Sequence, residues 1–522
     1  MLEPVSVFDI PLLLDTICAM LDPRDIGNCA TCSKEWHSFF GPYRFRSVNI
    51  TRSDAAKNAF LLNNSHHIRD LTINLGHFDT FVNPNCNGLQ NLTLGFIYEA
   101  NEESDCDDDD PDDTGLDGPD ISDPSVPMNK RACAAKLIQR STGLRTLHLS
   151  NAGIRSPFAC GSSIKEYYRH VRPVTKPILE AIGNHTFLTK IEVTLYTTCR
   201  MYSILLNHLP QQLQELSVSH PSESVRNHRR CNRQTRLFRS RTSILGIQRL
   251  NLRSIPECLS IETLMHLLKR CRELGELELP MWDIQDNTDT MAGIVQVLDS
   301  NCQRLHTLNQ ETRLSMLQIG VLLKGFSKGF RQLCMPYVGF SHDAEWANKS
   351  LLETLLTTAS VNTIEVLKCN SNAGSAENTI EILKHCTQLR VFRALGDEVD
   401  LSDLLLSMDE TWGCWSTLEE LELWIANERV AMEQTDAEAK RRRTAQDVRE
   451  LYLRWRSFPK LTTLDIKWNL KTGWDQESYD LGYDQEKYGM ALTLDDFNDG
   501  AAKSGSVTMT IEDAAWVGLK LD

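Results

Sequence analysis

The sequence predicts an α/β protein that grows by repetition, with parallel strands stacked on one side and helices on the other. Three observations predict it. The chain has 522 residues, and at roughly 100–200 residues per domain that is too long for one compact core unless the core extends by adding units. One short pattern returns along most of the chain: an apolar residue, two variable positions, an apolar residue, one variable position, an apolar residue. Several copies follow an apolar run at helical spacing. Strand, loop, helix and strand then alternate every few tens of residues, which is the order that builds a parallel sheet with outer helices.

The pattern is clearest at Leu144-Leu147-Leu149, Leu213-Leu216-Val218, Leu274-Leu277-Leu279, Leu418-Leu421-Leu423 and Leu461-Leu464-Ile466. Good copies stand at Ile68-Leu71-Ile73, Leu89-Leu92-Leu94, Leu188-Ile191-Val193 and Ile247-Leu250-Leu252, and weaker ones start at Leu305, Phe330, Ile364 and Leu389. In each copy the last two apolar residues alternate inward while the residues between them face out, as the two-residue period of a strand requires. The stretches "IETLMHLLKRC", "AGIVQVLDSNC" and "NTIEILKHC" supply helices ahead of Leu274, Leu305 and Leu389.

Cys86, Cys271, Cys302 and Cys386 each stand three residues before the first apolar anchor of a copy. Such recurrent cysteines read as small buried hydrophobes, one per unit; a stacked array separates them along its axis instead of gathering them around a metal ion. With this frame the units resemble leucine-rich repeats of the cysteine-containing subclass. Successive starts lie 21 to 55 residues apart, so the period is similar to the ~20–29 of that family with frequent insertions. The resemblance implies an irregular solenoid whose strands line a concave face.

Residues 7–50 do not follow the repeat. In "VFDIPLLLDTICAMLDPRDIGNCATCSKEWHSFF", Ile10-Pro11 opens a helix, Leu13, Leu14, Ile17 and Leu21 form an apolar stripe, and Asp22-Pro23 breaks it. Asp25 is expected to cap a second helix through Ile26, Cys29, Cys32 and Trp36. Ile10-Pro11, Leu14, Ile17, Leu21, Asp25-Ile26 and Cys32-Ser33-Lys34-Glu35-Trp36 together resemble an F-box. The departures are Ile for the opening Leu, Leu12-Leu13 in place of an acidic residue, and Cys-Ser for Val-Cys. "YRFRSVNI" then resembles the strand that leads from an F-box into the first repeat. The resemblance implies a substrate receptor of SCF, a cullin-RING ubiquitin ligase, whose adaptor subunit would hold Ile10, Pro11, Leu14, Ile17, Leu21, Ile26 and Trp36. The alternative for the same stripe is an ordinary cap on the solenoid. The expected organisation is an F-box over 1–50, first repeats over 51–98, an acidic insertion over 99–130, and a solenoid over 131–522 with a basic insertion near 221–243.

The net charge of −15 is concentrated in one place. Thirteen acidic residues lie between Glu99 and Asp123 with no Lys or Arg among them, leaving −2 for the rest. Self-repulsion and Pro111, Pro119, Pro124 and Pro127 make this run a loop between repeats. Seven arginines from Arg226 to Arg241 form an opposite, basic insertion, and Lys440-Arg441-Arg442-Arg443 falls in a long polar stretch that reads as an outer helix face. A nearly neutral folded part argues against a nucleic-acid partner. No apolar run approaches the ~20 residues of a membrane helix. The 16 cysteines are about 3% of the chain, well below the more than ~8% of a disulfide scaffold, and the first apolar stretch carries Asp15 instead of a signal peptide's uncharged core. A reducing compartment, cytoplasm or nucleus, is expected.

No phosphate loop, G-x-S-x-G elbow or H-E-x-x-H motif occurs, so no catalytic residue, cofactor or metal site is assigned. Cys29-Ala30-Thr31-Cys32 lacks a second pair to complete a zinc site, and His66-His67 has no metal-ligand frame. The chain thus reads as a non-enzymatic substrate-recognition subunit that binds an adaptor and, through it, a cullin, and promotes ubiquitin-dependent degradation by proximity. Arg249, Asn251, Glu276, Glu278, Glu420 and Glu422 stand between strand anchors and are the expected substrate contacts. The alternative is a repeat scaffold for protein interactions with no ligase role.

Overall fold

The computed structural model describes residues 8, 10–50, 63–74, 86–95, 128–150, 176–194, 205–219, 243–252, 261–279, 288–309, 314–335, 338–339, 351–369, 376–408, 412–426, 450, 454 and 458–469. The acidic run, the arginine insertion, Lys440–Arg443 and the last ~50 residues lie outside them. The chain divides into two compact units, Met1–Cys271 and Arg272–Asp522.

The first unit opens with three helices, α1 (Pro11–Met20), α2 (Pro23–Cys32) and α3 (Lys34–Phe40). Pro11 suits the first turn of α1, where no amide donor is needed. Asp22 is extended, as a residue before proline must be, and its carboxylate accepts from the Arg24 amide at 2.8 Å. The cap of α2 is therefore Asp22, not Asp25 as the sequence suggested. Nor does that helix run through Trp36. Ser33 is extended and its hydroxyl accepts from the Trp36 amide at 3.1 Å, so it starts a separate helix. Leu14, Cys18, Ile26, Ala30 and Phe40 form the buried centre of the three helices, with Phe8, Ile17, Leu21, Trp36, Phe39 and Tyr43 packed around it.

A short 3₁₀ turn, Pro42–Phe45, leads into β1 (Ser47–Ile50). There follow β2 (Asp70–Asn74), β3 (Asn91–Gly95), α4 (Met128–Arg140), β4 (Thr146–Ser150), α5 (Lys176–Gly183), β5 (Lys190–Thr194), β6 (Glu215–Ser219), β7 (Arg249–Asn251) and α6 (Ile261–Arg270). The strands lie side by side in chain order, all parallel. Register aligns Val48, Leu71, Leu92, Leu147, Ile191, Leu216 and Leu250 in one buried row across the sheet. A single strand of this length could not stand alone; each buries its apolar side against its neighbours.

The link between repeats is built the same way each time. The carbonyl just before a strand accepts two amides from the next unit: Arg46 from Arg69 and Asp70, Gln90 from Arg145 and Thr146, Thr189 from Gln214 and Glu215. Three residues before the first anchor a tight turn forms, with the Ile68, Leu89 and Leu144 amides donating to Ser65, Cys86 and Ser141. The recurrent position is thus filled by Ser65, Cys86, Ser141 and His185, all buried. His185 Nε2 lies 2.9 Å from the Ser141 carbonyl and ties one turn to the last.

The second unit holds β8 (Glu276–Glu278), α7 (Thr288–Asn301), β9 (Thr307–Asn309), β10 (Leu314–Ser315), α8 (Met316–Gly325), β11 (Gln332–Met335), β12 (Val338–Gly339), α9 (Leu351–Leu356), β13 (Val366–Cys369), α10 (Ala376–His385), β14 (Val391–Asp400), α11 (Leu401–Ser407), β15 (Glu420–Ala426) and β16 (Thr463–Asn469). Its parallel sheet runs β8-β9-β11-β13-β14-β15-β16, while β10 pairs only with β12. Leu277, Leu308, Leu333, Leu367, Phe392 and Leu421 repeat the buried row. Gly329, at φ 70°, makes the turn before β11, where a side chain would meet the Ser360 backbone nitrogen at 2.8 Å. The strands of the two units together fall at every copy of the apolar pattern. The protein is a mixed α/β repeat fold with open parallel sheets. No helix among the described residues is long and apolar enough to cross a membrane.

Candidate functional site

Two surfaces can engage a partner: the outer side of α1 and the polar side of the repeat sheets. In α1, residues spaced three and four apart share a face. Leu14 and Cys18 turn into the helical core. The opposite side carries Leu12, Leu13, Thr16 and Met20, and there Leu12 is 75% exposed, Leu13 42% and Met20 82%. The Thr16 hydroxyl donates to the Leu12 carbonyl at 2.8 Å, so its polar end is already used. Asp15 is the one charged residue of α1, and its carboxylate accepts from the Tyr43 hydroxyl at 2.8 Å. Burial, and then the bond to Asp15, push the Tyr43 pKa far above its ordinary value. α1 is thus apolar nearly all round, the pattern of a helix covered on every side.

The residues expected to anchor an adaptor are divided by this geometry. Leu14 and Ile26 are buried inside the helical core, and Ile17, Leu21 and Trp36 pack against it half-buried. Ile10 caps α1 at 41% exposure, and Pro11 is its first residue. Leu12 and Met20 were not singled out by the stripe; Leu13 was, but it faces outward with them. The sequence held the signal, since ten residues with a single charge leave no polar side for a solvated helix.

On the sheets, the residues between the buried anchors all lie on one polar side. Lys190, Glu215 and Arg249 stand in register on β5, β6 and β7. Lys190 Nζ is 2.8 Å from Glu192 and 3.7 Å from Glu215, and Arg249 is 3.3 Å from Glu215. The Glu192 bond raises the Lys190 pKa. Asn251 is half-buried two residues beyond Arg249.

In the second unit, Glu420 and Glu422 are drawn together around Arg393, at 3.1 and 3.7 Å, and Glu422 is buried. Glu276 and Glu278 lie half-buried on β8, the first strand of that unit. Just before the strands, charges alternate: Arg331, Glu365, Arg390 and Glu419. Arg390 grips Glu419 with two bonds, of 3.0 and 2.7 Å, which hold the Glu419 carboxyl below its ordinary pKa. Arg331 reaches Glu365 at 3.9 Å. The polar side of the described strands therefore carries paired charges of both signs.

The cysteines have the chemistry of core residues. Cys86, Cys271, Cys302 and Cys386 are buried, and burial pushes the thiols of Cys302 and Cys386 up to about 12 and that of Cys86 to about 11. Of the C-x-x-C pair, Cys29 packs against the helical core and Cys32 is exposed, its thiol 3.4 Å from the Asn28 carbonyl. The His66 and His67 rings contact each other at 3.8 Å in the turn before β2. Among the described residues no group of His, Cys, Asp and Glu is arranged to hold a metal ion.

No family model matches the chain, and no curated protein does. Among solved structures, it is similar to the crystal structure of the Rad7 and Elc1 complex in yeast. The identity is 12%, the TM-score 0.34, and the match covers 90% of this chain and 96% of that one. A likeness at that distance carries no argument about function.

Proposed function

We propose that the chain is the substrate-recognition subunit of an SCF-type cullin-RING ubiquitin ligase, docking through its N-terminal helices and holding a protein substrate on its repeats. The observation that supports this best is α1. A cap for the repeats needs one inward apolar face, and Leu14, Cys18 and their neighbours provide it. An adaptor site needs a second, outward one, and Leu12, Leu13 and Met20 provide that. Covering each such side chain is worth about 1.5–3 kcal/mol, enough for three or four together to drive association once the cost of fixing two molecules is met.

In this reading the chain performs no chemistry. Its repeats would hold a substrate so that a lysine meets a ubiquitin-loaded enzyme brought by the ligase, converting a bimolecular encounter into a local one. The paired charges around Arg393 and Glu215 suit recognition of a protein surface, because each pair can be opened and rejoined by a partner of matched sign. A leucine-rich-repeat scaffold without a ligase role is the second reading, favoured by the burial of Leu14 and Ile26 in a self-contained helical core.

The test is a titration of the purified SCF adaptor with the full chain and with the double variant Leu12→Asp, Met20→Asp. Both positions point away from the helical core, so circular dichroism and thermal unfolding should match the wild type. Binding by the wild type and its loss in the variant are expected. A folded wild type that does not bind the adaptor would move the chain to the scaffold reading.

A further inference from the structure

We propose that Met20 is an oxidation site that switches adaptor docking off; the inference rests on the docking reading above and concerns its regulation. Met20 is the last residue of α1 and 82% exposed. Its helical neighbours three, four, seven and eight positions back are Ile17, Thr16, Leu13 and Leu12. It therefore sits inside the apolar face, with leucines on the same side and no ionised group within that set. By contrast Met291, Met335 and Met408 are buried in the repeat core, at 0, 1 and 9% exposure, and Met265 is half-buried on α6, away from α1. Access to peroxide and a place in the docking face coincide at Met20 among the methionines whose burial is described.

The chemistry is self-contained once the oxidant is named. A lone pair on the Met20 thioether sulfur attacks one oxygen of hydrogen peroxide, the O–O bond breaks, an S–O bond forms, and the departing hydroxide takes up the proton to leave as water. Sulfur loses two electrons and peroxide gains them. The product is a sulfoxide, a strong hydrogen-bond acceptor in place of a soft apolar group. In free chain it is solvated and costs nothing. In a complex it would be pressed into an apolar groove with no donor supplied by the last turn of α1, whose amides are engaged in the helix, or by the Thr16 hydroxyl, which is bonded to Leu12, so the desolvation penalty falls on the bound state alone. Methionine sulfoxide reductases reverse the change, which makes the site a switch.

The experiment measures adaptor affinity for the full chain before and after mild hydrogen peroxide, with peptide mass spectrometry to follow Met20, and repeats it on Met20→Leu. Wild-type affinity should fall at least tenfold in step with sulfoxide at Met20 and return on treatment with sulfoxide reductase. Met20→Leu, whatever its starting affinity, should show the same value before and after peroxide. Full affinity with Met20 stoichiometrically oxidised would overturn the inference while leaving the docking reading intact. An equal loss in Met20→Leu would also overturn it, by assigning the effect to another residue. Failure of the untreated wild type to bind would instead remove the docking reading on which the inference stands.

Discussion

The N-terminal helices and the strands that follow them solve the same problem in opposite ways. In the strands of the first unit every apolar anchor is covered by the next copy: Leu92 is 1% exposed and Leu147 0%. In α1 the inner residues are covered equally well, yet Leu12 and Met20 stand at 75% and 82%. A repeat brings its own partner, because the adjoining unit presents a matching face. Among the described residues, no further unit is stacked on the outer face of the helical segment. The contrast teaches where to look for a partner: at the apolar surface which repetition leaves uncovered.

That contrast can be broken by substitution. Leu147→Ala removes an anchor from the middle of the buried row and should cost about 2–5 kcal/mol in denaturant unfolding, as large-to-small changes in closed cores do. A loss under 1 kcal/mol would mean the row is looser than its burial states. His185→Ala removes one of two donors to the buried Ser141 carbonyl, which keeps the Leu144 amide, and should cost about 0.5–1.5 kcal/mol by the same assay. Here a neutral result would show that the Leu144 amide alone satisfies the carbonyl.

Glu419→Gln probes a polar contact of the second unit. Arg390 holds the Glu419 pKa below the ordinary carboxylate value, so the pair's contribution is present above that ordinary value and is lost as pH falls through the lowered one. The stability difference between wild type and Glu419→Gln should be greatest near neutral pH, vanish in strong acid and shrink with added salt. A difference that grows on acidification would reverse the assignment. The smallest effect on stability belongs to Leu12→Ala, within about 0.5 kcal/mol of wild type, and only adaptor affinity should register it.

The repeat core was legible because it is periodic. Each copy of the pattern falls on a strand, down to the weak ones at Leu305 and Phe330, since the requirement that alternate residues turn inward is written locally. The cysteine frame was legible in part: Ser65, Ser141 and His185 fill the same turn position but share no chemistry with cysteine beyond fitting a small buried space with a bonded polar end. The helix starts were misread because two residues could cap α2. Asp22 wins over Asp25 because Pro23 needs no amide partner and forces Asp22 into the extended form. The docking face was the least legible. The stripe of Leu13, Leu14, Ile17 and Leu21 does not show which of its residues face in or out; α2 and α3 decide this by packing against Leu14 and Cys18, which leaves Leu13 outside.

The most direct measurement of the central claim is hydrogen exchange on the full chain with and without the purified adaptor. The account predicts added protection confined to α1 and the helices that adjoin it, with the strand amides of β2 to β7 unchanged. Protection that appears on the repeat strands while α1 exchanges as in the free chain would contradict it.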